Sequence, residues 1–95
     1  MNYKKSNISI ENIEMLKTLS HPIRVEIITI LMQHNTLNVS ELVNKLHIPQ
    51  STVSQHLSKM KGKILRCDRR GLEVYYYISN PKIPQIIEIL ASTNK

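Results

Sequence analysis

Asn38-Val39-Ser40-Glu41-Leu42-Val43-Asn44-Lys45-Leu46-His47-Ile48-Pro49-Gln50-Ser51-Thr52-Val53-Ser54-Gln55-His56-Leu57-Ser58-Lys59-Met60-Lys61 holds two helical patterns separated by a short break. Asn38 with Glu41 three places later resembles a capping box, and Val39, Leu42, Val43 and Leu46 supply the inward stripe of the helix that follows. After His47-Ile48-Pro49 the residues Val53, Leu57 and Met60 fall at i, i+4 and i+7. They predict a second helix from about Gln50 to Lys61, with Gly62 suited to its stop. Two short helices joined by a tight turn make a helix-turn-helix over about 39–61.

With Val53, Leu57 and Met60 set toward a core, Ser51, Gln55 and Ser58 point outward, Thr52, Ser54 and Lys59 flank them, and Gln50 opens the helix. An outward face rich in hydroxyl and amide groups with no acid suits base edges and phosphates better than mere solubility, for which Glu and Lys pairs are more usual. The helix N-terminus adds free N–H groups and the positive end of a dipole. Ser51 has a blander role available as an N-cap, and His56 falls at the boundary between core and surface.

Past Gly62 the helical period gives way to Ile64-Leu65-Arg66-Cys67 and Glu73-Val74-Tyr75-Tyr76-Tyr77-Ile78, runs with strand composition, joined by Asp68-Arg69-Arg70-Gly71-Leu72, which reads as a hairpin tip. A two-stranded wing over about 63–78 is expected, with Arg69 and Arg70 on its turn, within reach of a minor groove. Six of the 13 basic residues (Lys59, Lys61, Lys63, Arg66, Arg69, Arg70) lie between positions 59 and 70, with Asp68 as the one acid among them. Net charge is +6, and the pI near 9.7 points to a polyanionic partner.

Upstream, Ser9 can cap a helix over about Ile10 to Leu19, and Ser20 stands before His21-Pro22 at the start of a largely buried helix to about Gln33. Downstream, Ile83, Ile86, Ile87 and Leu90 stripe a last helix from about Lys82 to Ser92. The fold class is thus mainly α with a small β-hairpin: a single winged helix-turn-helix domain over 1–95, about five helices plus the wing. At this length only about 65% of the chain's surface would be buried on folding, so a second subunit would help.

No apolar stretch is long enough to span a membrane, and Met1-Asn2-Tyr3-Lys4-Lys5-Ser6-Asn7 lacks a leader's apolar region, which predicts a cytoplasmic, nucleoid-associated protein with no membrane partner. The lone Cys67 cannot form an internal disulfide or a Cys-x-x-Cys clip. Catalysis is not expected: there is no Gly-rich phosphate loop, no close carboxylate pair and no Cys/His nucleophile setting.

Leu19-Ser20-His21-Pro22-Ile23-Arg24, then Ser51-Thr52-Val53-Ser54-Gln55-His56-Leu57, then Arg69-Arg70-Gly71 running into Val74-Tyr75-Tyr76, resembles the ArsR/SmtB family of winged-helix transcriptional repressors, and its small metal-independent members above all. The resemblance spans roughly residues 10 to 90. It implies a homodimer joined through the first and last helices (about 9–19 and 82–92), bound to a palindromic operator in double-stranded DNA to block transcription. Ile10, Ile13, Ile83, Ile86, Ile87 and Leu90 are then the expected dimer contacts. Gln50, Ser51, Thr52, Ser54, Gln55, Ser58, Lys59, Lys61, Arg69 and Arg70 are the expected DNA contacts. The family often has Gly directly before the apolar pair that opens the wing, whereas here Lys63 intervenes between Gly62 and Ile64-Leu65.

Metal sensors of that family often carry Cys-x-Cys where this chain has Asn38 and Ser40, or Asp, His and Glu on paired last helices where it has only Glu88. No metal and no cofactor are therefore expected. Three alternatives remain open. The Ile-rich last helix could dock a different protein, Cys67 among arginines could respond to oxidants, and Tyr75 and Tyr77 could stack on RNA if exposed.

Overall fold

The computed structural model describes residues 7–92. The reading of the first six residues as lacking a leader lies outside the described residues. Five helices and a three-stranded antiparallel sheet follow in the order α1 (Ile10–Leu19), α2 (Pro22–His34), β1 (Leu37–Asn38), α3 (Val39–Leu46), α4 (Gln50–Met60), β2 (Leu65–Arg70), β3 (Glu73–Ile78) and α5 (Lys82–Ala91). This is the winged helix-turn-helix architecture, with one more strand than the sequence led us to expect.

Local chemistry explains the joints. Ser9 Oγ accepts the Asn12 N–H at 3.1 Å and starts α1. The cap of α2 is His21 rather than Ser20: its Nδ1 accepts the Ile23 N–H at 3.1 Å, with Pro22 next in the first turn. Ser20 instead closes α1, its N–H donating to Leu16 and Lys17 carbonyls. The capping box of α3 forms in both directions, Asn38 Oδ1 accepting from Glu41 N at 2.8 Å and Glu41 Oε1 from Asn38 N at 2.9 Å. His47, left-handed at φ 58°, reverses the chain toward α4. Helix α4 ends at Met60, with Lys61 already extended and Gly62 at φ 92° folding the chain back so that its N–H meets the Leu65 carbonyl at 2.8 Å.

The sheet order is β1-β3-β2, with Leu37 opposite Tyr76 and Asn38 opposite Tyr75. Asn38 thus belongs to the sheet by its backbone and to α3 by its side chain, and it is buried. Between β2 and β3 the turn is only Gly71-Leu72, because Arg69 pairs with Val74 and Arg70 with Glu73. The expectation that Arg69 and Arg70 lie on a five-residue turn is corrected: both are strand residues. Gly71 at φ 65° takes the first corner, as a two-residue type II′ hairpin asks of that position.

The core joins every element. Ile27 and Ile28 of α2, Leu42 of α3, Val53, Leu57 and Met60 of α4, Ile64 and Leu65 at the wing base and Ile83 of α5 are fully buried. Helix α1 contributes Met15 and Leu19 and leaves Ile10, Ile13 and Leu16 outside. The ion pair between Lys17 and Glu14, 3.8 Å apart on the surface of α1, adds little beside this.

Candidate nucleic-acid interface

With Val53, Leu57 and Met60 fully buried, α4 can turn only its opposite side to solvent. Gln50, Ser51, Gln55, Ser58 and Lys59 are exposed there, Lys61 is exposed just past its end, and Thr52 and Ser54 are half-buried at the flanks. Ser54, Gln55, Ser58 and Lys59 line one shallow depression. Ser51 is not the N-cap: Pro49 holds that position, no side chain caps the helix, and no acid stands in its first turn. The first N–H groups of α4 therefore face outward without a side-chain acceptor, beside hydroxyls and an amide.

The reverse of α4 is fastened by chemistry that the sequence patterns did not reveal. Arg24 Nε–H donates to His56 Nδ1 at 3.0 Å, and Arg24 Nη1 donates to the Thr18 carbonyl at 2.9 Å. One guanidinium thus ties α4 to the corner between α1 and α2. The His56 ring lies 4.5 Å from that of His21, tilted by 53°. Desolvation by burial, followed by the nearby His21 and Arg24 charges, pushes the His56 imidazole below its ordinary value of 6.5. Accepting from Arg24 requires the neutral ring, so His56 is a packing residue here. The only sequence signal was its boundary position on the helix.

Side chains alternate along the hairpin, so Arg66, Asp68 and Arg70 share one face with Tyr77, Tyr75 and Glu73, while Leu65, Cys67 and Arg69 share the other with Ile78, Tyr76 and Val74. Arg69 and Arg70, both exposed, therefore project to opposite faces. The Arg70 guanidinium lies 4.7 Å above the Tyr75 ring, which covers that ring and leaves it poorly placed as a stacking platform. Tyr76 packs on the core and Tyr77 is half-buried. Cys67, half-buried opposite Tyr76, lies on the inner face with Leu65.

A second surface lies across the molecule. Leu16, Val25, Ile86 and Leu90 border an open apolar groove floored by Leu19 and Ile87. Of the residues expected at a dimer interface, Ile10, Ile13 and Leu90 are exposed and Ile86 is half-buried, whereas Ile83 and Ile87, at 0% and 7% exposure, already serve the chain's own core. Leu16 and Val25, absent from that expectation, lie on this surface. Among the described residues no group of three or more His, Cys, Asp or Glu comes together as a metal site, and no helix is long and apolar enough to cross a membrane.

Comparison with known proteins gives this geometry a context. Residues 21–63 match the family described as "Bacterial regulatory protein, arsR family". The transcriptional repressor PagR of Bacillus anthracis is 48% identical over 91 residues, covering 95% of this chain and 92% of PagR. Its crystal structure superposes with a TM-score of 0.81 over 84% of this chain and 92% of that one. The transcriptional activator HlyU of Vibrio cholerae is 31% identical over 86% of this chain and 76% of its own length. A structure of HlyU from that species superposes with a TM-score of 0.80 over 90% of this chain and 94% of that one.

Proposed function

The chain belongs to the ArsR family of bacterial regulatory proteins, and from that premise we propose that this DNA-binding transcriptional regulator works as a homodimeric repressor on a palindromic operator, without a metal site of its own. The observation that carries the reading is the division of α4 into a sealed inner face and an outward face of amide, hydroxyl and Lys side chains with no acid. Gln55, Ser54 and Thr52 read base edges in the major groove, and Gln50, Ser51 and Ser58 support them from the helix start and outer rim. Lys59, Lys61, Arg69 and Arg70 hold phosphates.

The whole chain acts as one domain, with the helix-turn-helix at about 39–61, the wing at about 63–78 and the outer helices at about 9–19 and 82–92 joining two copies. Ile10, Ile13, Ile86 and Leu90 meet their counterparts, with Ile87 in the floor of the groove and Ile83 in the core behind it. Two-fold symmetry then sets half-sites about 10 bp apart or a multiple of that. Occupying promoter DNA is sufficient to repress, and the work is done at the cytoplasmic nucleoid. Footprinting on the DNA upstream of the protein's own coding region tests the reading: two protected, inverted half-sites at that spacing support it, and equal competition by a scrambled duplex defeats it. A reading in which α5 serves a different protein predicts instead a monomer near 11.0 kDa by light scattering.

A further inference from the structure

We propose that Leu72 is an apolar tip that enters the minor groove beside each half-site, with Arg69 and Arg70 directed to the two sugar-phosphate walls. The inference rests on the DNA-binding reading above and extends it to a residue that reading leaves unused. Leu72 is 95% exposed, against 73% for Leu90 and 72% for Ile89. Leu90 borders the apolar groove and Ile89 is its neighbour in α5, whereas Leu72 stands at the corner of the β2–β3 turn. It supports nothing in the fold, and a single exposed leucine would ordinarily need no explanation.

Its surroundings supply one. The other corner of the turn is Gly71, which has no side chain, so the apex of the hairpin presents Leu72 alone. Behind it, the pairing of Arg69 with Val74 and Arg70 with Glu73 puts one guanidinium on each face of a two-stranded ribbon. Only the Leu72 side chain at the apex needs to enter a minor groove about 6 Å wide, while the strands behind it stay outside between the phosphates. The walls of that groove are phosphates flanking deoxyribose edges, so cations on both faces and an aliphatic tip between them match it in charge and polarity. Apolar side chains placed there contact sugars or wedge between base steps. Glu73, opposite Arg70, and Asp68, two residues back on the same face, are the acids near this end; Arg70 is drawn over Tyr75 on that face. A lipid surface would favour a cluster of apolar tips over a lone one between opposed cations.

The test uses the full chain and the footprinted fragment from its own upstream region, with a second version in which adenines flanking the half-sites are replaced by diaminopurine. That base adds an amino group to the minor-groove floor and leaves the major groove unchanged. L72A is expected to bind the plain fragment about tenfold more weakly, the loss of one part-buried aliphatic side chain. Its salt dependence should match wild type because no cation is removed. Diaminopurine should weaken wild type and L72M several-fold more than it weakens L72A.

L72A binding within about twofold of wild type would overturn the proposal, as would equal sensitivity of wild type and L72A to diaminopurine. Loss in L72A of binding to phosphatidylglycerol vesicles, with DNA affinity intact, would reassign the tip to a lipid surface. A wild-type protein that protects no segment of the fragment would instead defeat the DNA reading itself.

Discussion

Helices α4 and α5 are built alike on the inside and differ in what they leave uncovered. Each buries an aliphatic stripe in the same core: Val53, Leu57 and Met60 from α4, Ile83 and Ile87 from α5. On its outer side α4 has Gln55, Ser58 and Lys59, whereas α5 runs its apolar stripe on past the core, with Ile86 half-buried and Leu90 73% exposed, and turns Gln85 and Glu88 away from it. Burial explains why both are helices, and the outward residues separate what they do. An outer face of amide and hydroxyl loses little in water and gains from the hydrogen-bonding edges of a duplex. An uncovered margin of isoleucine and leucine gains most from a second apolar surface.

That contrast can be broken from either side. The largest effect is expected at α5: Leu90→Asp, repeated in both copies by symmetry, should cost the dimer about 3–6 kcal/mol, or 1.5–3 per buried side chain. Light scattering should then fall from about twice 11.0 kDa to a single chain while the far-ultraviolet circular dichroism is kept. Next comes the inner face of α4, where Leu57→Ala should lower stability by about 2–5 kcal/mol in denaturant unfolding, since the residue is fully buried. On the outer face of α4, Gln55→Ala should leave stability unchanged and weaken binding to the operator by about 1–3 kcal/mol, with little loss on random duplex. Lys59→Ala should be smaller still: a uniform loss on all duplexes, with the log–log salt slope flattened by about one.

The smallest expected effect concerns the back of α4. The His56 imidazole is held below 6.5 in the folded chain, so near that pH the unfolded chain takes up the proton first. The stabilising contribution is complete above pH 6.5 and is lost as pH falls toward the folded value. The denaturant midpoint should therefore drop on acidification below neutrality. His56→Asn should remove part of that drop, and an unchanged pH profile in the variant would detach His56 from it.

Much of this division was legible from spacing alone. The inward positions of α4 and the capping box at Asn38 and Glu41 follow from periodicity and side-chain chemistry, and both appear in the structure. Strand β1 was not legible because two residues carry no period; its existence depends on Tyr75 and Tyr76 arriving from far along the chain. Arg69 and Arg70 have the composition of a loop, but the register is set by the tight Gly71-Leu72 corner, which draws both into β2. Ser20 and His21 both precede Pro22, and only geometry shows that the imidazole caps α2. Nor can a stripe of isoleucines say which members serve their own core: Ile83 and Ile87 do, and Leu90 does not.

Asn38 sits where the sheet and the helix-turn-helix meet, paired to β3 through its backbone and capping α3 through its amide oxygen. The hairpin and the first helix of the helix-turn-helix consequently share a welded joint instead of a swivel, so one asparagine sets the angle of the wing when the chain folds.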